Sequence, residues 1–282
     1  MTHTIVGVHG IGNFRSGTQP PEAARILGEE WRTRIASALH GAGADGSAPE
    51  VSMAYYADVL RQPGRQGTGG DLDDLDPSEI EFAYQWLEAF DLPVGVAAGR
   101  PTIGLRQAVD TIARMRHLGP PATRWFVALF CREVHAYLKN PDSPARAAVR
   151  ARVTDALENT SARVVIAHSL GSVVAYEALW TRPDLKVDLL VTLGSPLALP
   201  HAVLPRLWPT PLDGRGARPP GVARWVNLAD PGDIVAIPPG GVGRTFEGVD
   251  IDEHTIIDTF DFHLAKNYLA HQRLGAILRD TL

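Results

Sequence analysis

Val164-Val165-Ile166-Ala167-His168-Ser169-Leu170-Gly171 is the stretch on which the fold turns. Val164, Val165 and Ile166 are β-branched, and the run to Ala167 has no polar break, as expected of a strand covered on both faces in a parallel sheet. The residues that follow, Leu170–Trp180, suit a helix. A serine therefore stands at a strand-to-helix bend. Such a bend is tight, so the positions two before and two after the serine must be small, and they are Ala167 and Gly171. The bend lifts the hydroxyl above the carboxyl end of the strand. It also aims the N-terminus of the next helix at any negative charge that develops there. Ser169 is on this pattern a candidate nucleophile. A plain strand-turn-helix connection with an incidental serine also satisfies so short a pattern, so the rest of the chain must decide.

Outward from this stretch, Ile5–Val8, Val51–Tyr56 and Leu189–Leu193 also read as buried strands, with a shorter, mixed one at Arg224–Leu228. Helical patterns lie between them at Pro21–Leu39, Ser143–Glu158 and Leu170–Trp180, and a last helix is expected over Phe262–Leu278. Pro21 and Pro144 suit early helical positions, and Ser143 suits an N-cap. Strands alternating with helices predict an α/β fold with a mostly parallel central sheet and helices on both faces. The middle departs from this rhythm. A Gly/Asp-rich stretch, Gln62–Asp76, reads as an exposed loop. Three helical segments follow: Pro77–Phe90, Thr102–His117 and Ala122–Lys139. Phe82, Trp86 and Phe90 share one face of the first, and Trp125, Phe126, Leu129 and Phe130 form a band on the third. Leu60–Asn140 thus reads as a helical insertion within a single domain spanning residues 1–282. Two arrangements fit it: a cap or lid, or an added helical layer on the same core.

Three further segments supply what a serine nucleophile needs. Ile5-Val6-Gly7-Val8-His9-Gly10-Ile11-Gly12 is a strand ending in a glycine-rich loop. In a fold built around such an elbow, this loop gives one backbone N–H to an oxyanion and the residue after the nucleophile gives the other. These are Ile11 and Leu170. A dinucleotide site is the lesser reading, because Arg15 stands where the third glycine of that fingerprint belongs. Trp225–Val235 ends a strand and carries Asp230 and Asp233, either able to orient a histidine. Asp233 is preferred, because Asp230 precedes Pro-Gly and suits a turn-stabilising role. His263 stands where a loop enters the last helix and is the preferred general base. Its rivals are His254, in an acidic stretch that reads as a last strand, and His271, inside the last helix. His9 and His168 read as structural. The chain order is Ser, Asp, His.

With these residues in view, the chain resembles the compact bacterial lipases of the α/β-hydrolase superfamily. Val8-His9-Gly10-Ile11-Gly12 and Ala167-His168-Ser169-Leu170-Gly171 are similar to their oxyanion loop and Ala-His-Ser-x-Gly elbow. Asp233-Ile234-Val235 with Ile237-Pro238 is similar to the Asp-Ile-Val-Pro stretch of class-3 lipases, where the aspartate is the triad acid. His263-Leu264 with Tyr268 resembles their catalytic histidine segment, at a different tyrosine spacing. The likeness covers half to two-thirds of the chain and leaves out Leu60–Asn140. It implies the α/β-hydrolase fold, a triad of Ser169, Asp233 and His263, oxyanion donors at Ile11 and Leu170, no metal and no cofactor. The function implied is cleavage of carboxylic esters through an acyl-enzyme, with a small acyl ester or thioester as substrate. Alternatives are a thioesterase, a cyclase or an acyltransferase on the same triad, a peptidase, and a non-catalytic binding module of this fold.

Bulk properties bound these readings. The chain has 282 residues, 45% apolar and 21% charged, the composition of an ordinary globular protein. Its net charge of -5 gives no basic footprint for nucleic acid. Its one cysteine, Cys131, excludes an internal disulfide and a cysteine-built zinc site. The N-terminus shows no basic region followed by an apolar one, and the longest apolar run, Val164–Trp180, is broken by His168, Ser169 and Gly171. A soluble, cytoplasmic protein without membrane insertion is expected. Nothing in the sequence indicates an oligomeric state.

Overall fold

The computed structural model describes residues 4–44, 48–60, 71–90, 101–257 and 263–282. Its centre is a six-stranded sheet of β1 (Thr4–Val8), β2 (Glu50–Ala54), β3 (Val164–His168), β4 (Val187–Leu193), β6 (Val222–Ala229) and β8 (Ile251–His254). The spatial order is β2-β1-β3-β4-β6-β8, and all five pairings are parallel. Two short strands, β5 (Gly216–Ala217) and β7 (Phe246–Glu247), pair separately. Because every strand of the main sheet runs the same way, the loops after β1, β3, β4 and β6 gather along one edge, where ligands bind in open α/β sheets.

Alternation along the strands divides the core in two. Ile5, Val164, Ile166, Leu189, Val191, Val226 and Leu228 face one cluster, with Trp31 and Ile35 of α1 (Pro20–Gly41) and with Tyr268, Leu274 and Ile277 near the C-terminus. Val6, Val8, Val165, Ala167, Leu190 and Trp225 face the other. That second cluster takes in α6 (Pro144–Thr160) and α7 (Leu170–Thr181). It also holds the apolar faces of the helices between β2 and α6: α2 (Ala57–Leu60), α3 (Pro77–Leu87), α4 (Pro101–Met115) and α5 (Pro120–Leu138). Phe82, Trp86, Leu105, Val109, Phe130 and Val134 thus share one continuous apolar body with the sheet.

Several expected boundaries move. The second strand stops at Ala54 rather than Tyr56, because the Tyr56 N–H donates to the His9 ring instead of to a neighbouring strand. The strand expected at Arg224–Leu228 extends to Val222–Ala229. The single C-terminal helix is two, α9 (Ala265–Ala270) and α10 (Gln272–Arg279), after a short α8 (Gly241–Thr245) earlier in the chain. The break falls at His271, which is extended at φ −72°, ψ 134° and caps α10 by accepting from the Arg273 N–H. His271 therefore caps a helix rather than lying inside one, and the expected start at Phe262 lies outside the described residues. Of the Gln62–Asp76 loop, residues 62–70 lie outside the described residues. The remainder is not exposed throughout: Leu72–Asp74 forms a 3₁₀ turn, and Leu72 and Leu75 are buried. Among the described residues, no helix is long and apolar enough to cross a membrane.

One buried ion pair ties the helical layer together. The fully buried Arg146 and Glu177 form a two-pronged contact, with Arg146 Nε donating to Glu177 Oε2 at 2.9 Å. The Tyr137 hydroxyl donates to the same oxygen at 2.7 Å, and the Trp208 N–H donates to Oε1 at 3.0 Å. Four donors satisfy one carboxylate and link α5, α6, α7 and the 206–208 segment. Removing one member strands a buried charge, which costs more than removing both. Arg146→Met is expected to destabilise the fold by about 3–5 kcal/mol in urea unfolding. The double variant Arg146→Met/Glu177→Leu is expected to lose less than the sum of the two single losses, and additive losses would contradict this account.

Candidate active site

The elbow expected from the sequence takes its shape from backbone strain. Ser169 stands between β3 and α7 at φ +54°, ψ −129°, a region an L-residue occupies only when its surroundings force it. Three contacts hold the bend. The Ser169 N–H donates to the Leu193 carbonyl at 2.9 Å, and the Ser169 carbonyl accepts from both the N–H (2.9 Å) and the hydroxyl (2.6 Å) of Ser172. The Ser172 hydroxyl also meets that of Ser195 at 2.7 Å. Gly171 lets the elbow lie directly on the end of β1: a Cβ there would come within 2.3 Å of the Val8 carbonyl oxygen and 2.4 Å of that of His9.

Ser169, His263 and Asp233 come together in one chain of hydrogen bonds. His263 Nε2 lies 2.8 Å from Ser169 Oγ, and its Nδ1 lies 2.7 Å from Asp233 Oδ2. All three are buried, at 0%, 4% and 1% exposure respectively, so solvent does not compete for these bonds. Asp233 Oδ1 accepts from the N–H groups of Val235 (2.8 Å) and Ala236 (3.3 Å), which fix the orientation of the carboxyl group and leave Oδ2 facing His263. When Nδ1–H of His263 donates to Asp233 Oδ2, Nε2 is left to accept from the serine hydroxyl. Asp230 sits three residues earlier with both oxygens taken by backbone N–H groups, of Gly232 and Ile257, each at 2.6 Å. His254 is engaged elsewhere, accepting from the Gly240 N–H beside Asp252.

The loop after β1 lies against this centre. Ile11 is half-buried, and Leu170 opens α7, where the first N–H groups have no partner within the helix. Among the described residues, neither the Ile11 nor the Leu170 N–H donates to another group. Asn13 Nδ2 pins the loop by donating to the Gly10 and Ile11 carbonyls at 3.0 Å each. The Gly12 N–H donates to Glu133 on α5, whose carboxyl is pushed up to about 7 by burial. Phe126, also on α5, meets the His263 ring edge-on at 5.1 Å. The loop carrying Asp233 is braced from the same layer, by Trp86 Nε1 to the Ile234 carbonyl at 2.9 Å and by Arg116 to the Pro231 carbonyl at 2.7 Å.

No protein-family description matches the chain, and no curated protein or solved structure matches it. The geometry alone therefore carries the chemistry. Among the described residues, no group of three or more His, Cys, Asp or Glu side chains is placed to hold a metal ion.

One component was not read from the sequence. Gly194, at the end of β4, has φ +52°, and a Cβ there would lie 2.8 Å from Asp233 Oδ2 and 3.2 Å from the His263 ring. Only a hydrogen at that position leaves room for the Asp–His pair. The available signal was Gly194-Ser195-Pro196, small or turn-forming residues directly after a strand beside the elbow strand.

His9 and His168 are both buried beside the centre. The Tyr56 N–H donates to His9 Nε2 at 3.1 Å, which leaves His9 Nδ1–H to donate to the Gly10 carbonyl at 2.8 Å. Burial lowers His9 to about 4, and burial followed by the charge of His263 holds His168 well below its ordinary value. Both therefore fold as neutral rings. The unfolded chain binds more protons than the folded one between the unfolded value near 6.5 and the folded value near 4, so stability falls as pH drops through that window. For His9 the loss reaches roughly 3 kcal/mol by pH 4. His9→Phe is expected to flatten the dependence of unfolding free energy on pH between 6.5 and 4, as read by urea titrations across that range. An unchanged slope would contradict the neutral assignment.

Proposed function

We propose that this chain is a serine hydrolase of the α/β-hydrolase fold that cleaves carboxylic esters through an acyl-enzyme on Ser169. The observation that carries the reading is the unbroken hydrogen-bond chain Ser169 Oγ–His263–Asp233, seated on a strained bend at the carboxyl edge of a parallel sheet.

In the mechanism this supports, Ser169 Oγ attacks the ester carbonyl carbon as His263 Nε2 takes its proton. Asp233 keeps the imidazole in the right tautomer and stabilises the imidazolium that forms. The carbonyl oxygen becomes an oxyanion held by the N–H groups of Ile11 and Leu170, with the N-terminus of α7 behind it. Collapse of the tetrahedral intermediate breaks the ester C–O bond, and His263 protonates the departing alcohol. Water, deprotonated by the same nitrogen, then attacks the acyl-enzyme and releases the acid and the serine. His168, beside His263 with ring centroids 4.8 Å apart, adds no competing charge while it stays neutral.

A second reading keeps the nucleophile and changes the acceptor. The burial of Ser169 and the packing of Phe126 against His263 favour a centre poor in water, which suits acyl transfer or cyclisation, and the same triad accepts a thioester as acyl donor. A panel of oxygen esters and thioesters of graded chain length, with products checked for transfer to added alcohols, separates the two.

With any substrate that turns over, Ser169→Ala is expected to abolish the reaction. Asp233→Asn is expected to lower kcat by about 10⁴-fold while leaving the fold intact. Undiminished turnover by folded Ser169→Ala would overturn the proposal.

A further inference from the structure

We infer that the Tyr268 hydroxyl is a positioning residue that sets the basicity of His263 by sharing the carboxylate oxygen on which His263 rests. The inference rests on the hydrolase reading for its consequence in catalysis, while its geometry stands independently of it.

Tyr268 lies on α9, five residues after His263, and is fully buried. Its hydroxyl accepts from the Asp230 N–H at 2.8 Å and donates to Asp233 Oδ2 at 2.9 Å. The same Oδ2 receives His263 Nδ1 at 2.7 Å. A phenol oxygen that is already accepting from an N–H has its proton directed along the one remaining path, to the carboxylate. Such chains of bonds polarise one another and strengthen the final donor. The arrangement therefore clamps the two ends of the Asp230–Asp233 turn to the segment that carries the histidine.

The electrostatic consequence has a definite sign. Asp233 carries one negative charge, and each donor it accepts from spreads and damps that charge. Val235, Ala236 and Tyr268 all compete with His263 for it. Without the phenol, Asp233 would act more strongly on the imidazole, favouring the imidazolium and raising the pH at which His263 becomes a base. Among the described residues, the other titratable groups packed on the pair are Asp230, bound through both oxygens to backbone N–H groups, and His168, whose ring lies 5.8 Å from that of Tyr268 and which burial keeps neutral. Burial, followed by the charge of Asp233, holds the Tyr268 phenol well above its ordinary value, so it remains a donor across the working range.

The test is an NMR titration of His263 in the full-length protein, alongside the pH profile of kcat/KM on whichever ester turns over. In Tyr268→Phe, the His263 titration and the ascending limb of the profile should both move to higher pH by roughly half to one unit, the effect of one hydrogen bond to a charged group. A tyrosine that only filled space would lower activity at every pH without moving either. Replacing Tyr268 with 3-fluorotyrosine keeps the shape and strengthens the donor, so both should move to lower pH. This second variant carries the test if Tyr268→Phe does not fold. A shifted His263 titration in a chain with no esterase activity would support the inference and reject the hydrolase reading. An unmoved titration in either folded variant overturns the inference.

Discussion

Ser169 can hold φ +54° only because its neighbours leave it no alternative. A non-glycine residue in such a region carries of order 1–3 kcal/mol of strain. The strain is balanced locally: the N–H of Ser169 is tied to Leu193 on the adjacent strand, its carbonyl is taken twice by Ser172, and Gly171 lets the first turn of α7 rest on the last carbonyls of β1. The bend thus depends on β1, β3 and β4 being parallel neighbours. It aims one hydroxyl at the place where the later loops of the sheet arrive.

Those loops meet it in an order set by the sheet. The Asp230–Asp233 turn follows β6 and is braced from the helical layer by Trp86 and Arg116. The His263 segment precedes α9. It is fixed from one side by Asp233, and it is packed by Phe126 of α5 and His168 of the elbow. α5 reaches both the histidine, through Phe126, and the loop after β1, through Glu133 and Gly12. Its position therefore bears on both the proposed base and the proposed oxyanion donors. The buried Arg146–Glu177 pair, roofed by Tyr137 of α5, anchors the far end of the same layer.

Much of this arrangement could be read from the chain. The central strands of the main sheet announce themselves because burial on both faces demands short, continuous apolar runs, and Val164–Ala167 and Leu189–Leu193 come close to that. The residues of the hydrogen-bond chain were visible because each sits beside a strand end or loop signal with a chemical reason to be there. Asp233 was distinguished from Asp230 by the Pro-Gly that makes Asp230 a turn residue, and Asp230 indeed spends its oxygens on backbone N–H groups. What the sequence did not reveal depends on contacts between distant segments. Gly194 is one glycine among 27 until Asp233 and His263 are seen to need the space beside it. The helix break at His271 has no proline to mark it; the side chain simply caps the helix that follows. The second strand ends at Ala54 because the His9 ring competes for the Tyr56 N–H, a long-range event no local pattern encodes.

The account stands on Ser169 being a nucleophile primed by His263, and covalent labelling reads that property directly. The folded protein would be incubated with a fluorophosphonate probe and digested, and the modified peptide mapped by mass spectrometry, with the rate of labelling followed as a function of pH. The expected result is a single adduct on Ser169, forming faster as His263 loses its proton. Correctly folded protein that takes up no probe, or takes it up on Ser172 or Ser195 instead, would contradict the account.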